Sequence, residues 1–92
     1  MNKGELIDEI VAKAKVSKKA ADAALTAALE EIVAAVSTGD KVTLVGFGSF
    51  EQRARQAREG RNPRTGEKMQ IAATRVPAFA PGKLFKQRVA GE

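Results

Sequence analysis

The sequence contains no cysteine and no histidine, and these two absences exclude much of the chemistry that small proteins perform. Without cysteine there is no disulfide framework, thiolate nucleophile, zinc–sulfur site or iron–sulfur cluster. Without histidine there is no imidazole base, no serine–histidine triad and no imidazole ligand for a metal ion. We therefore expect neither an enzyme nor a bound metal or other cofactor.

Aromatic residues and long apolar runs are also scarce. The 92 residues include four Phe, no Trp and no Tyr, although 43% are hydrophobic. A core built mainly from Ala, Val, Leu and Ile in so short a chain is small, so we expect a homodimer, in which two copies share one core. The apolar runs are far shorter than the ~18 residues of a membrane-spanning helix, and no signal peptide is evident. We expect a soluble, cytoplasmic protein that makes no membrane contact.

The charge of the chain is concentrated in its second half. Lys and Arg number 16 against 11 Asp and Glu, which gives a net charge of +5. Residues 47–92 carry ten basic and four acidic side chains, whereas residues 1–46 carry six and seven. An asymmetry of this kind indicates a polyanionic partner.

Two amphipathic patterns predict helices in the first half. Apolar residues recur at helical spacing over residues 2–15 and again over residues 18–38. Asn2 and Ser17 are suited to cap the two helices, and Gly39 is suited to end the second. The second helix is rich in alanine, which allows another helix to approach closely.

From Asp40 onward the apolar period changes from helical to two. Residues 41–45 predict a strand, residues 46–48 a turn and residues 49–55 a second extended segment. Residues 76–79 predict a strand that pairs with this hairpin, with Pro77 at an edge or a strand start. Residues 83–89 predict a short terminal helix. The glycines at 46, 48 and 82 match neither a dinucleotide-binding nor a phosphate-binding loop, and they are better explained as turn residues.

Residues 52–75 have a different composition, with seven basic side chains against Glu59 and Glu67. The centre, residues 60–66, is dense in turn-forming residues. One interpretation is a disordered basic loop, and the other is a long two-stranded β-ribbon with Pro63 near its tip. The alternation of residues at 53 and 55 and at 69, 71 and 73 favours the ribbon.

The basic segment favours duplex nucleic acid as the partner over a merely solvated face, because arginine suits phosphate contacts and narrow grooves. Pro63 admits two roles. It could act as an apolar wedge that enters between base pairs, as in minor-groove architectural proteins, or it could only shape the turn.

Two sequence motifs carry a resemblance to a known family. Gly46-Phe47-Gly48-Ser49-Phe50, followed by the tip Arg61-Asn62-Pro63 with Thr65-Gly66, strongly resembles the bacterial histone-like HU/IHF family. The resemblance extends over the whole length, through Val76-Pro77-Ala78-Phe79 to Pro81-Gly82-Lys83, and the sequence looks like the cyanobacterial type. It implies an α+β fold: an intertwined dimer with a helical base, a small antiparallel sheet per subunit and two long β-ribbon DNA-binding arms.

The resemblance also implies which residues contact DNA. Pro63 would be the intercalating residue at a kink in the minor groove, with Arg61, Asn62 and Arg64 at the groove edges. Along the arm, the residues expected to follow the phosphates are Arg53, Arg55, Arg58, Lys68 and Arg75. On the body, the expected contacts are Lys3, Lys83 and Lys86. The shared dimer core would contain Leu29, Ile32, Val36, Leu44, Phe47, Phe50 and Phe79. Ala80, where many relatives carry a basic or polar residue, is a departure that would weaken contacts near the saddle.

On this basis we expect one domain over residues 1–92. Its parts are a helical dimerisation region at 1–38, a sheet at 40–51 and 76–81, an arm at 52–75 and a C-terminal helix at 82–90. Its expected function is histone-like. It would bind double-stranded DNA largely without sequence specificity, prefer bent, nicked or gapped duplexes, and compact and stabilise the bacterial chromosome in the nucleoid.

Two alternatives remain at this level. The basic arms of a dimer could instead dock on an acidic protein or membrane surface, and this version predicts no preference for deformed DNA. RNA is a further partner that the sequence leaves open.

Overall fold

A computed structural model describes residues 1–91 of the chain. The chain divides into two compact units, the first being Met1–Ala34 and the second beginning at Ala35. Helix α1 spans Lys3–Ala14, and helix α2 spans Lys18–Ser37, so that α2 begins in the first unit and ends in the second. Both helices start within one residue of their predicted positions.

Local capping sets the helix ends as the sequence predicts. The Asn2 side-chain oxygen accepts a hydrogen bond from the Glu5 N–H at 2.9 Å, and the Ser17 hydroxyl accepts one from the Ala20 N–H at 3.1 Å. Each satisfies a backbone donor that has no partner within its helix. Gly39 follows α2 with φ of 91°, the left-handed conformation that glycine adopts without strain.

The first unit has a small interior. Ile7 and Ala21 are its buried apolar residues, at 5% and 2% exposure. Two ion pairs join α1 to α2, Lys3 to Asp22 at 3.8 Å and Lys18 to Asp8 at 3.7 Å. Because all four side chains are more than half exposed, these pairs contribute little to stability.

The second unit is built on a three-stranded antiparallel sheet. Its strands are β1 (Val42–Leu44), β2 (Gly48–Arg55) and β5 (Thr74–Pro81), in the order β1-β2-β5. Pro77 therefore lies on an edge strand, as predicted, where a missing backbone donor is tolerated. Strands β3 (Arg58–Arg61) and β4 (Lys68–Ile71) form a second, two-stranded sheet. The α+β class with small antiparallel sheets is thus confirmed.

The turn between β1 and β2 depends on a glycine at its end. Gly48, which we predict as part of the turn, is already the first residue of β2. Its φ is 154°, and a Cβ there would lie 2.6 Å from the Ala80 carbonyl oxygen and 2.7 Å from the Phe79 ring. The close approach of β5 and the backbone conformation both require glycine at this position.

Helix α3 (Lys83–Ala90) follows the sheet and places Phe85 beside Phe47 and Phe79. Phe47 has ring-centroid distances of 5.4 Å to Phe79 and 5.3 Å to Phe85, and Phe50 lies 4.9 Å from Phe79. These separations are typical of packed aromatic pairs. Phe85 is not among the core residues expected from the sequence. In addition, the Gln52 side-chain amide donates to the Val36 carbonyl at 3.1 Å and so links β2 to the end of α2.

Candidate nucleic-acid interface

The basic segment forms an antiparallel hairpin that continues the sheet. The pairing of β2 with β5 runs outward as far as Arg55 opposite Thr74. If that register is extended, it places Arg58 opposite Ile71, which is the pairing observed between β3 and β4. The two ladders therefore belong to one ribbon, interrupted by two residues on each side. The ribbon prediction is confirmed, and the disordered-loop alternative is wrong.

The tip of the ribbon, residues 62–67, is closed by hydrogen bonds to Asn62. The Asn62 N–H donates to the Glu67 carbonyl at 2.8 Å, and the Asn62 carbonyl accepts from the Gly66 N–H at 2.7 Å. Its side-chain oxygen also accepts from the Arg64 N–H at 2.9 Å. Asparagine commonly stabilises turns in this way. Pro63 lies between these contacts, exposed at the end of the ribbon.

The ribbon presents its positive charge on both of its faces. Arg53 and Arg55 are two residues apart on β2 and therefore share a face, whereas Arg75 lies opposite Ala54 on the other face. The predicted basic contacts of the ribbon are all exposed, namely Arg53, Arg55, Arg58, Arg61, Arg64, Lys68 and Arg75. Exposed guanidinium groups retain the donors that bind phosphate oxygens in pairs.

One of these arginines already has an acidic partner. The Arg53 guanidinium donates to Oε1 of Glu51 through Nε at 3.4 Å and Nη2 at 3.3 Å. This pair is not among the expectations from the sequence. A signal for it is present, because two residues of opposite charge at spacing two on a strand share a face. A phosphate that binds Arg53 has to compete with this carboxylate.

The three predicted lysines of the body lie on helices. Lys3 donates to the Thr26 hydroxyl at 2.9 Å, in addition to its ion pair with Asp22. Lys83 and Lys86 are exposed on α3, at its first and fourth residues. Their contact with DNA stays a prediction, as does the role of every ribbon residue.

The predicted dimer-core residues are only partly covered within one chain. Val36 is buried at 8% exposure, and Ile32 and Phe50 are half-buried. The remaining four are exposed apolar side chains: Leu29 at 47%, Leu44 at 43%, Phe47 at 45% and Phe79 at 38%. Large apolar groups left open in this way are typical of a surface that another molecule covers.

Other kinds of site find no support in the part of the chain that the structure describes. Within residues 1–91 no three side chains of the His, Cys, Asp or Glu type come together as ligands for a metal ion. Among the described helices, none has the length and apolar character needed to cross a membrane.

The chain has three helices, a small antiparallel sheet and an extended basic hairpin with an Asn-Pro tip. These features are typical of a protein that binds a polyanion with a cationic arm. Comparison with known proteins gives the family. Residues 1–90 match the family described as bacterial DNA-binding protein, and the chain belongs to it. Because this is a family of DNA-binding proteins, the prediction that the chain is not an enzyme is confirmed.

Similar proteins cover the chain nearly from end to end. DNA-binding protein HU of a Nostoc species is 72% identical over 90 residues, which are 98% of this chain and 96% of the relative. DNA-binding protein HU of a Synechocystis species is 56% identical and covers 100% of this chain and 98% of the relative. The resemblance to the cyanobacterial type is thereby confirmed.

Solved structures give the same result. An Anabaena HU–DNA cocrystal structure superposes with a TM-score of 0.94 at 71% identity, and the match covers 100% of both chains. HU from Thermotoga maritima superposes with a TM-score of 0.70 at 38% identity, covering 97% of this chain and 98% of the other.

Proposed function

We propose that this protein is a histone-like architectural protein of the bacterial nucleoid. It binds double-stranded DNA as a homodimer, largely without sequence specificity, and bends the duplex with its two ribbons. By doing so it compacts and stabilises the chromosome. The observation that carries this proposal is the exposed basic ribbon with Pro63 at its hydrogen-bonded tip.

Duplex DNA is the partner that this ribbon suits best. A two-stranded β-ribbon is narrow enough to follow a groove of the duplex, and its exposed arginines face phosphates on both sides. A relative that is 72% identical is named for binding DNA, and a similar solved structure is a cocrystal structure of HU with DNA. We propose that Arg53, Arg55, Arg58, Lys68 and Arg75 bind phosphates, and their exposure along the ribbon supports this.

Pro63 is the wedge in this proposal. The turn is closed by Asn62, so the pyrrolidine ring is an exposed, rigid apolar group at the far end of a cationic arm. Minor-groove proteins insert such groups between base pairs and kink the duplex toward the major groove. Arg61, Asn62 and Arg64 are neighbours of Pro63 in the chain and are proposed to contact the edges of the groove.

Little sequence specificity is expected from such contacts. Phosphates carry no sequence information, and the minor groove distinguishes mainly A·T from G·C pairs. The protein can still prefer DNA that deforms easily, because bending a duplex costs on the order of 1–6 kcal/mol. A nicked, gapped or already bent duplex needs less of this bending free energy and should bind more tightly.

Homodimer formation is supported by the small interior of one chain. The buried apolar side chains among the described residues are Ile7, Ala21 and Val36, which is too little to stabilise a domain of this size. A second copy would cover the open faces of Leu29, Leu44, Phe47 and Phe79 and would also supply the second arm. Lys3, Lys83 and Lys86 are proposed to bind the phosphates that pass over the body of the dimer.

The decisive experiment is equilibrium binding of the protein to an intact duplex and to the same duplex with a short central gap, at low and near-physiological salt. Tighter binding to the gapped duplex that persists at the higher salt supports an architectural role. Equal binding that disappears with salt would leave only a nonspecific basic patch. Binding to a duplex RNA of the same sequence is measured in the same way. If the protein binds this RNA as tightly as it binds the gapped DNA, RNA binding replaces DNA bending as the proposed activity.

A further inference from the structure

The ribbon leaves the three-stranded part of the sheet at a defined point of strand β2. The pairing of β1 with β2 begins at Val42 opposite Phe50, so residues 51–55 pair with β5 beyond the end of β1. Gln52 is the last half-buried residue of β2, and from Arg53 onward the strand is exposed. A two-stranded ribbon is only marginally stable by itself and is easily bent. The direction of the ribbon therefore depends on what holds β2 near residue 52.

The Gln52 side chain holds the strand to the end of helix α2. It lies on the same face of β2 as Phe50, since residues two apart on a strand share a face. Its Nε2 donates a hydrogen bond to the Val36 carbonyl at 3.1 Å. Val36 lies in the last turn of α2 and is 8% exposed, so its carbonyl belongs to a packed part of the chain. The hydrogen bond thus joins the base of the ribbon to a fixed point of the fold.

The Val36 carbonyl is well suited to accept this hydrogen bond. Carbonyl groups in the last turn of a helix have no partner within the helix, and they carry the negative end of the helix dipole. The Val36 carbonyl also accepts from the Gly39 N–H at 3.0 Å, which leaves its second lone pair for Gln52. A side chain without an N–H donor at position 52 could not make this bond.

We propose that Gln52 is a positioning residue that sets the direction in which the ribbon projects, and that it thereby sets the bend that the protein imposes on DNA. Side chains stand out from the plane of a sheet, so the hydrogen bond of Gln52 resists bending of the ribbon out of that plane. The backbone hydrogen bonds between the two strands lie within the plane and do not oppose this bending. The inference rests on the proposed DNA-bending function and adds a residue that acts before DNA is bound.

The direction of the ribbon can be measured without DNA, because the chain has no cysteine and accepts two site-specific spin labels. Thr43→Cys and Thr65→Cys place one label on exposed β1 and one at the ribbon tip. The labelled chain is refolded with an excess of unlabelled chain, and pulsed electron–electron double resonance gives the distribution of the distance between the labels. In Gln52→Met we expect the fraction of molecules outside the main distance peak to rise about threefold or more, since one hydrogen bond shifts a conformational equilibrium by about that factor.

Gln56→Met is the matched control. Gln56 is exposed and lies between β2 and β3, so the same substitution there changes the ribbon without changing its hydrogen bond to α2. Its distance distribution should be that of the unsubstituted chain. Gln52→Glu keeps the length of the side chain but replaces the amide donor with an acceptor, and it should broaden the distribution at least as much as Gln52→Met. An unchanged distribution in both variants of Gln52, even with a lowered melting temperature, or equal broadening in Gln56→Met, would overturn the proposal.

Measurements with DNA distinguish this proposal from the proposed function. We expect Gln52→Met to widen the distribution of bend angles of an intact duplex, measured by fluorescence energy transfer, and to weaken binding about threefold. The slope of log K against log salt should stay the same, because no phosphate contact is lost. A smaller slope would mean that Gln52 binds DNA directly, which contradicts a positioning role. If the unsubstituted chain does not bend the duplex, the proposed function fails, whereas the label distances still show whether Gln52 directs the ribbon.

Discussion

At the scale of single residues, one residue at the tip of the ribbon shapes the turn, and a different residue presents the exposed apolar group. The hydrogen bonds to Asn62 close the turn, and none of them involves Pro63, which has no backbone N–H to donate. We therefore expect Pro63→Ala to keep the turn and to lose the wedge. Binding to an intact duplex should weaken about tenfold and the bend angle should decrease, while binding to a gapped duplex should weaken less. Fluorescence energy transfer across the ends of the duplex measures the bend.

The matched control for this substitution is Thr65→Ala. Thr65 lies in the same turn, where its hydroxyl accepts from the Glu67 N–H at 3.3 Å, but it presents no rigid apolar ring. We expect its DNA affinity and bend angle to be those of the unsubstituted protein. An equal loss in both variants would mean that Pro63 only shapes the turn.

A second residue-scale prediction concerns Gly48 in the sheet. Alanine there would combine a φ of 154° with a Cβ less than 3 Å from both the Ala80 carbonyl oxygen and the Phe79 ring. We expect Gly48→Ala to lower the free energy of unfolding by more than ~2 kcal/mol, measured by urea denaturation. Gly39→Ala is the control. It has a φ of 91° but nothing within 4 Å of its Cβ, so the loss should be about 1–2 kcal/mol.

At the scale of the element, strand β2 carries both an arginine of the arm and the carboxylate that holds it. Glu51 is 31% exposed and Arg53 61% exposed, so their ion pair contributes little to the stability of the fold. We expect Glu51→Gln to leave the melting temperature nearly unchanged and to raise the affinity for DNA. The Arg53 guanidinium of this variant does not have to give up a carboxylate partner before it binds a phosphate. The slope of log K against log salt should steepen by up to ~0.9 per arm.

The control for this charge change is Glu30→Gln on helix α2, which removes the same charge from an exposed position outside the ribbon. Its effect on affinity should be smaller, and its salt slope should match that of the unsubstituted protein. Identical gains from both substitutions would attribute the effect to net charge and not to the release of Arg53.

At the scale of the whole molecule, the question is what covers the open apolar side chains. Leu29 is 47% exposed in one chain, so a single folded chain would tolerate a carboxylate there. A dimer that buries this position would not, because an unpaired buried charge costs several kcal/mol. We expect Leu29→Glu to weaken association of the subunits at least about a hundredfold and to lower stability with it. Sedimentation equilibrium over a range of protein concentrations gives the subunit dissociation constant.

Val16→Glu is the matched control for Leu29→Glu. Val16 is 40% exposed, nearly as open as Leu29, but it lies in the connection between α1 and α2 and outside the predicted dimer core. The dissociation constant of this variant should stay within about threefold of that of the unsubstituted protein. Loss of the dimer in both variants would indicate a general intolerance of added negative charge, and retention of it in both would remove Leu29 from the interface.

Much of this architecture follows from local chemistry. The caps at Asn2 and Ser17 and the left-handed stop at Gly39 are found where the sequence predicts them, because a short polar side chain and a missing Cβ act within a few residues. The strands and the ribbon also follow from the period of two and the turn residues. Their ends differ by a residue or two, as at Gly48, because strand ends depend on the partner strand.

The sequence by itself determined a small α+β protein with a cationic hairpin, an Asn-Pro tip and too little core for one chain. Tertiary structure alone decided which side chains meet. The Arg53 guanidinium forms an ion pair with Glu51, and the Ile71 side chain packs over Gly60. The Phe85 ring packs against Phe47. The physical reason is that composition and local preference act along the chain, whereas faces and partners are set by strand register, and a shift of one residue would exchange every face of the ribbon.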